Sequence, residues 1–247
     1  MSAAAPVSAG VKGALAFFLL LNLALWGASS RVYARWEGVP PPPSLGGAAA
    51  LTLGDVQFSH RFLALSLQNL GNVGRDVAPL KTYDYNRLGQ WFALLNRLDP
   101  SSDHVPAIAA YYFGSTRIPH DIRVLVHYLG TIGQVPAGQK WRWLAHAAYL
   151  AQHRLNDYDL ALFYAEKLAD IHAQGVDMPQ WARQMKVFIL NNRGDRDGAR
   201  KMMETMLVTD ETALPEEVNM MKAFLIEQMG VPEEEVEALA RLRGDNK

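Results

Sequence analysis

From position 55 to the end of the chain, apolar residues recur every three to five positions, the period of helices packed on one face, and no stretch alternates as a half-buried strand would. The pattern predicts ten helices, over 55–71, 84–98, 103–114, 119–132, 138–155, 157–173, 179–193, 195–208, 215–229 and 232–243. Their starts are marked in two ways. Aspartates such as Asp55, Asp84, Asp157 and Asp195 stand where a carboxylate caps free N–H groups. Pro119, Pro179, Pro215 and Pro232 stand where a missing N–H costs nothing and φ is already set. Glu233, Glu234 and Glu235 open the last helix and Arg241 and Arg243 close it, so its charges oppose the macrodipole at both ends. Asp99-Pro100 stops the second helix, because a residue before proline avoids helical ψ. The long connection 71–83, with Gly71, Gly74 and Pro79, is the kind that often carries function, but no chemistry can be named for it.

Ahead of these helices the periodicity is lost in a purely apolar run. Between Lys12 and Arg31 lie 18 residues without a formal charge, about 27 Å of helix at ~1.5 Å per residue, close to a bilayer core. Asn22 is the one strongly polar side chain inside; Trp26, Tyr33 and Trp36 suit the headgroup region, and Arg31 and Arg35 can snorkel there. We read 1–12 as a tail, 13–36 as a single transmembrane helix or signal anchor, 37–54 as a Pro/Gly-rich linker and 55–244 as the helical domain. The competing reading is a cleavable export signal. Lys12 precedes a richest stretch of only 12 residues, from Ala14 to Leu25, and Val32-Tyr33-Ala34 roughly resembles a cleavage site. Lys12 and the terminal amine balance Arg31 and Arg35, so the positive-inside rule ties. A short, nearly uncharged tail before a large polar domain favours an inner-membrane, single-pass chain with the domain in the periplasm. The four prolines Pro40 to Pro43 read as a stiff stand-off, and 44–53 as weakly structured.

Composition narrows the chemistry. The 247 residues carry 24 Lys+Arg against 25 Asp+Glu, a net charge of −1, so no basic surplus argues for nucleic acid as a partner. There is no cysteine, which removes disulfides, thiolate metal sites and cysteine nucleophiles together.

A repeat then becomes visible. Trp143 and Trp181 are 38 apart, as are Asp157 and Asp195, Asp159 and Asp197, Ala161 and Ala199, and Glu166 and Glu204. Each unit places Trp on a first helix, an Asp-x-Asp turn after it, and a small residue early in the second helix, where two helix backbones cross closely. Residues 156–171, NDYDLALFYAEKLADI, resemble the turn and second helix of the tetratricopeptide repeat (TPR) family, with Ala161 at its small position; Gly194-Asp195 and Ala199 resemble a more degenerate copy. Each Trp stands 18 residues before its Ala, two more than the family's usual spacing, and Arg123, 38 before Ala161, does not match. The resemblance covers roughly 141–207 and implies an all-α, TPR-like α-solenoid of about five helical hairpins, stacked because no hairpin buries its apolar face alone. With the anchor in front, the chain is similar to membrane-anchored repeat proteins of bacteria. The resemblance also implies a non-enzymatic scaffold that binds protein partners along first-helix side chains and assists assembly in the cell envelope. Gln152 and Lys186 are the expected groove positions. The alternative is an exported protein whose repeats bind a soluble peptide or carbohydrate.

Other chemistry finds little support. The Asp157/Asp159 and Asp195/Asp197 turns could offer hard oxygen ligands, but helix capping explains them better. Seven histidines include two pairs at i, i+7, about 10.5 Å apart along a helix at ~1.5 Å per residue, too far for one ion. No nucleophile elbow, phosphate loop or dinucleotide fingerprint occurs, so no enzyme activity, metal or cofactor is expected. Trp141, Trp143, Tyr149 and Trp181 are expected in the hairpin core, and Met202, Met203, Met206, Met220 and Met221 as interior or an adaptable docking patch.

Overall fold

The structure, a computed structural model, describes residues 9–29, 38–73, 76–210 and 212–245. It is all-helical apart from one minimal hairpin. Helix α1 (Ala9–Ser29) contains a 20-residue stretch, Gly10–Ser29, long and apolar enough to cross a membrane, with none of it buried against protein. Asn22, well inside that stretch, is satisfied within the helix: its Nδ2 donates to the Phe18 carbonyl at 3.1 Å. Tyr33, Trp36, Arg31 and Arg35, expected as interfacial anchors, lie outside the described residues.

The segment expected to be a stiff stand-off and a weakly structured linker is packed into the fold. Val39 is buried, the Arg87 Nη1 donates to its carbonyl at 2.9 Å, and Trp91 Nε1 donates to the Pro40 carbonyl at 2.8 Å. A polyproline-like run has no internal hydrogen bonds, so its carbonyls are free acceptors, and side chains of the helix over 85–98 take two of them. Residues 45–50 form a short helix, α2 (Leu45–Ala50), whose Ser44 cap accepts from Gly47 N–H. Ala48 of α2 is wholly buried, and its carbonyl accepts from Ser59 Oγ of α3 (Val56–Gln68) at 2.7 Å. The folded part therefore begins near Val39 rather than at position 55.

After α3, two-residue strands β1 (Asn72–Val73) and β2 (Asp76–Val77) pair antiparallel, and a 3₁₀ turn (Leu80–Thr82) leads to α4 (Tyr85–Leu98), capped by Asp84. Helix α5 (His104–Ala107) runs into a π turn (Ile108–Tyr112) and a 3₁₀ turn (Phe113–Ser115), where one regular helix was expected. Then come α6 (Pro119–Gly133), α7 (Trp141–Arg154) and α8 (Tyr158–Ala173). The helix expected over 179–193 is broken into α9 (Gln180–Arg183) and α10 (Met185–Arg193), because Gln184, at φ −85° and ψ −1°, leaves helical ψ. Helices α11 (Arg196–Thr209), α12 (Pro215–Ala223), a π turn (Phe224–Gln228) and α13 (Glu233–Asp245) complete the chain.

From α2 onward most helices neighbouring in sequence pack on one another, most intimately α6 on α7 and α7 on α8. Gly133 makes the first of these contacts possible: a Cβ there would sit 2.2 Å from the Leu144 backbone nitrogen. The apolar interior falls into two clusters. One runs from Val39 to Ile189 and includes Phe113, which is packed against Tyr83, Tyr85 and Phe92. The other joins Val187, Ala199, Met203, Leu207, Met221 and Leu225 with Val236. Helix α10 serves both, with Ile189 in the first and Val187 in the second.

Candidate functional site

Along α7, residues 142, 146, 149 and 153 follow one another by four, three and four, so they form one stripe of the helix. All four are basic or aromatic, and the stripe faces outward. The His146 ring lies 5.9 Å from that of Tyr149, which lies 4.6 Å from His153. On one side the π turn projects Tyr111, 5.3 Å from His146 and 6.2 Å from Trp143. On the other, α9 projects Trp181, 5.6 Å from Trp141. Tyr111, Tyr149 and Trp181 are 67%, 51% and 49% exposed. Together with Arg142, Ala145, His146 and Met185 they line a cleft of ≈ 310 Å³.

The first turn of α7, which carries Arg142 to this groove, is fixed by polar bonds. Asp103, at the start of α5, accepts from Trp143 Nε1 at 2.7 Å and from Lys140 Nζ at 3.0 Å, and pairs more loosely with Arg142 at 3.4 Å. Lys140 is itself buried and also donates to the Ser101 and Ser102 carbonyls. Burial raises the Asp103 pKa, but the bonds from Trp143 and Lys140 and the nearby cations outweigh it and hold the carboxyl below its ordinary value. Burial lowers the His146 pKa, opposed by a hydrogen bond to the Ala110 backbone, in the π turn. The imidazole is therefore biased toward its neutral form, suited to stacking. The groove thus offers flat ring faces, an imidazole that burial biases toward its neutral form and one solvent-exposed guanidinium, which suits an extended chain with apolar or aromatic side chains.

The residues singled out from sequence are distributed unevenly over this geometry. Ala161 and Ala199 are both fully buried in the first turns of α8 and α11. Trp143 is buried beside Tyr111, whereas Trp181 is half exposed, so the two tryptophans of the repeat do different jobs. The break at Gln184 accompanies the difference: α9 ends at Arg183 after a single turn, so Trp181 does not belong to a continuous first helix as Trp143 does. Gln152 does not reach the groove: it is 7% exposed and stands about 90° round α7 from the outward stripe at ~100° per residue. Lys186 is held by Glu166 of α8 at 2.7 Å, one position beyond the groove residue Met185. Trp141 and Trp143 are core residues as expected, but Tyr149 and Trp181 are not. The signal was the run of basic and aromatic types along one stripe of α7, which spacing alone cannot distinguish from core.

Three of the four aspartates of the Asp-x-Asp turns cap a helix or pair with an arginine. Asp157 accepts from Leu160 N–H at 3.1 Å and pairs with Arg123, and Asp195 accepts from Gly198 N–H at 3.0 Å. Asp159 pairs with Arg193 at 3.0 Å. Among the described residues no three His, Asp or Glu side chains gather as metal ligands. Met203 and Met221 are interior, while Met202 and Met206 line a second cleft of ≈ 500 Å³ beside Arg183.

No family model, no curated protein and no solved structure matches this chain.

Proposed function

We propose that the chain is a membrane-anchored, TPR-like solenoid scaffold that holds a protein partner in the cell envelope through the aromatic groove. The observation that carries this reading is the array of exposed rings drawn from three successive helical units, Tyr111 from the π turn, Tyr149 from α7 and Trp181 from α9, with the half-buried His146 between the two tyrosines. Isolated exposed rings are ordinary, but rings gathered along one cleft present the large, rigid contact area that protein interfaces favour. Helix α1 supports the anchor by its length and composition, and the successive packing of neighbouring helices supports the stacked repeat.

A photoreactive phenylalanine analogue placed at Tyr149 or Trp181 of the full chain tests it. A discrete crosslinked polypeptide is expected from these sites, lost with Tyr111→Ala and not seen from Asp170, an exposed position on α8. Equal adducts from all three sites, or none, would overturn the reading. Exposed rings also suit a soluble peptide or carbohydrate bound by a chain released from the membrane. N-terminal sequencing separates the two, since a retained Met1 region accompanies the anchor and a start near Arg31 or Arg35 accompanies export.

A further inference from the structure

Helix α3 buries Ser59, His60, Leu63, Ala64 and Leu67 and turns a second apolar stripe outward. Phe58, Phe62 and Leu65, at i, i+4 and i+7, are each more than half exposed, and the two phenyl rings lie 6.3 Å apart. The turn before the helix adds to this surface. Leu51 is 63% exposed, and Leu53 is fully exposed at φ 55°, a left-handed conformation that a leucine adopts only at a cost. An apolar residue held at the tip of a turn, directed wholly into solvent, gains nothing from the fold.

The chain's own connectivity limits what can cover that face. Helix α1 ends at Ser29, and the fold takes hold of the chain again at Val39. Nine residues lie between, about 30 Å even if fully extended at ~3.3 Å per residue. Val39 and Ala48 share a core with α3, and Ser59 binds the Ala48 carbonyl, so the tethered end of the domain is the end that carries the stripe. Resting on the reading of α1 as a retained anchor, we infer that the α2–α3 edge lies on the bilayer surface, with Leu51, Leu53, Phe58, Phe62 and Leu65 inserted among the lipid acyl chains near the headgroups and Arg61 beside them at the phosphates. This is how an amphipathic helix lies in an interface, with its apolar face a few ångströms below the headgroups. The anchor supplies the effective concentration that so small a surface lacks by itself. The domain is then held in a fixed orientation, instead of swinging on its tether.

The absence of native cysteine makes the test direct. Full-length chains carrying Leu53→Cys, Phe62→Cys or, as a control, Leu242→Cys on α13, each nitroxide-labelled, are placed in phosphatidylcholine–phosphatidylglycerol nanodiscs. Collision of the label with oxygen, which concentrates in lipid, is compared with collision with a water-soluble nickel chelate. The oxygen-to-nickel ratio is expected to be several-fold higher at positions 53 and 62 than at 242. Ratios equal to that of 242 in chains that have entered the disc overturn the inference while leaving the anchor intact. Spectral broadening at position 62 that vanishes on dilution with unlabelled chain assigns the stripe to a second copy and also overturns it. Chains that never enter the disc remove the anchor reading, and this inference with it.

Discussion

Two regions of the molecule solve the same packing problem differently. Across α6, α7 and α8 the helices meet through small and apolar groups: Gly133 against the Leu144 backbone, Gly130 under the Tyr164 ring, and Ala147, Ala148, Ala151 and Ala161 fully buried. Where α9 meets the turn after α11 and the start of α12, the contact is made by polar groups instead. The Arg183 guanidinium, only 10% exposed, binds the carboxylates of Asp210 and Glu217, and Gln180 reaches the Glu217 carbonyl at 3.4 Å. Gln184 is wholly buried, and neither of its amide atoms, nor Arg183 Nε, has a partner among the described residues. Clefts of ≈ 460 and ≈ 500 Å³ flank Arg183. The dry contact gains from dispersion and burial at close range; the polar one loses most of its Coulomb attraction to desolvation. The seam at Arg183, just before α10, the helix that both apolar clusters share, is therefore the weaker joint.

The largest effect is expected from breaking that seam. Arg183→Ala leaves Asp210 and Glu217 as a partly buried pair of like charges, and should cost about 3–5 kcal/mol. Because the two apolar clusters share only α10, urea unfolding followed by tryptophan fluorescence and by far-UV circular dichroism should separate into two transitions, the earlier one being loss of the C-terminal helices. A single transition shifted as a unit would show that the seam does not divide the fold. Gly133→Ala acts on the dry side and should cost about 2–3 kcal/mol, since the backbone it meets cannot rotate away. Here the unfolding curve should move without splitting. The smallest effect has the opposite sign: Gln184→Leu removes two buried polar atoms that the fold does not pair, and a gain of about 1 kcal/mol is expected in stability, read from the urea midpoint. A loss would mean that this amide carries a bond essential to the break between α9 and α10.

How far each feature could be read in advance follows from the range of the interactions behind it. The caps at Asp55, Asp84, Asp157 and Asp195 were legible because each acts on an N–H three residues away. The small residues Ala161 and Ala199 were legible from the repeat, since close helix crossings demand them wherever they recur. The docking of Val39 and Pro40 was not, because Arg87 and Trp91, which donate to their carbonyls, stand 48 and 51 positions further along. The groove lay between these cases. Tyr149 and Trp181 stood out but carried the same spacing as core aromatics, Tyr111 carried no signal of its own, and Gln152 was displaced from the open side by about a quarter turn at ~100° per residue.

By itself the sequence determined the helical character of the chain, the ends of most helices, the apolar α1 and the short-range caps, all of which depend on neighbours within one or two turns. Only the tertiary structure decided which of several equally spaced rings were covered, that the proline run was held rather than free, and that α9 and α10 part at Gln184 beside a buried arginine. Each of those outcomes depends on groups tens of residues apart meeting at a few ångströms, and helical periodicity is the same whether a side chain's face is later buried or left open.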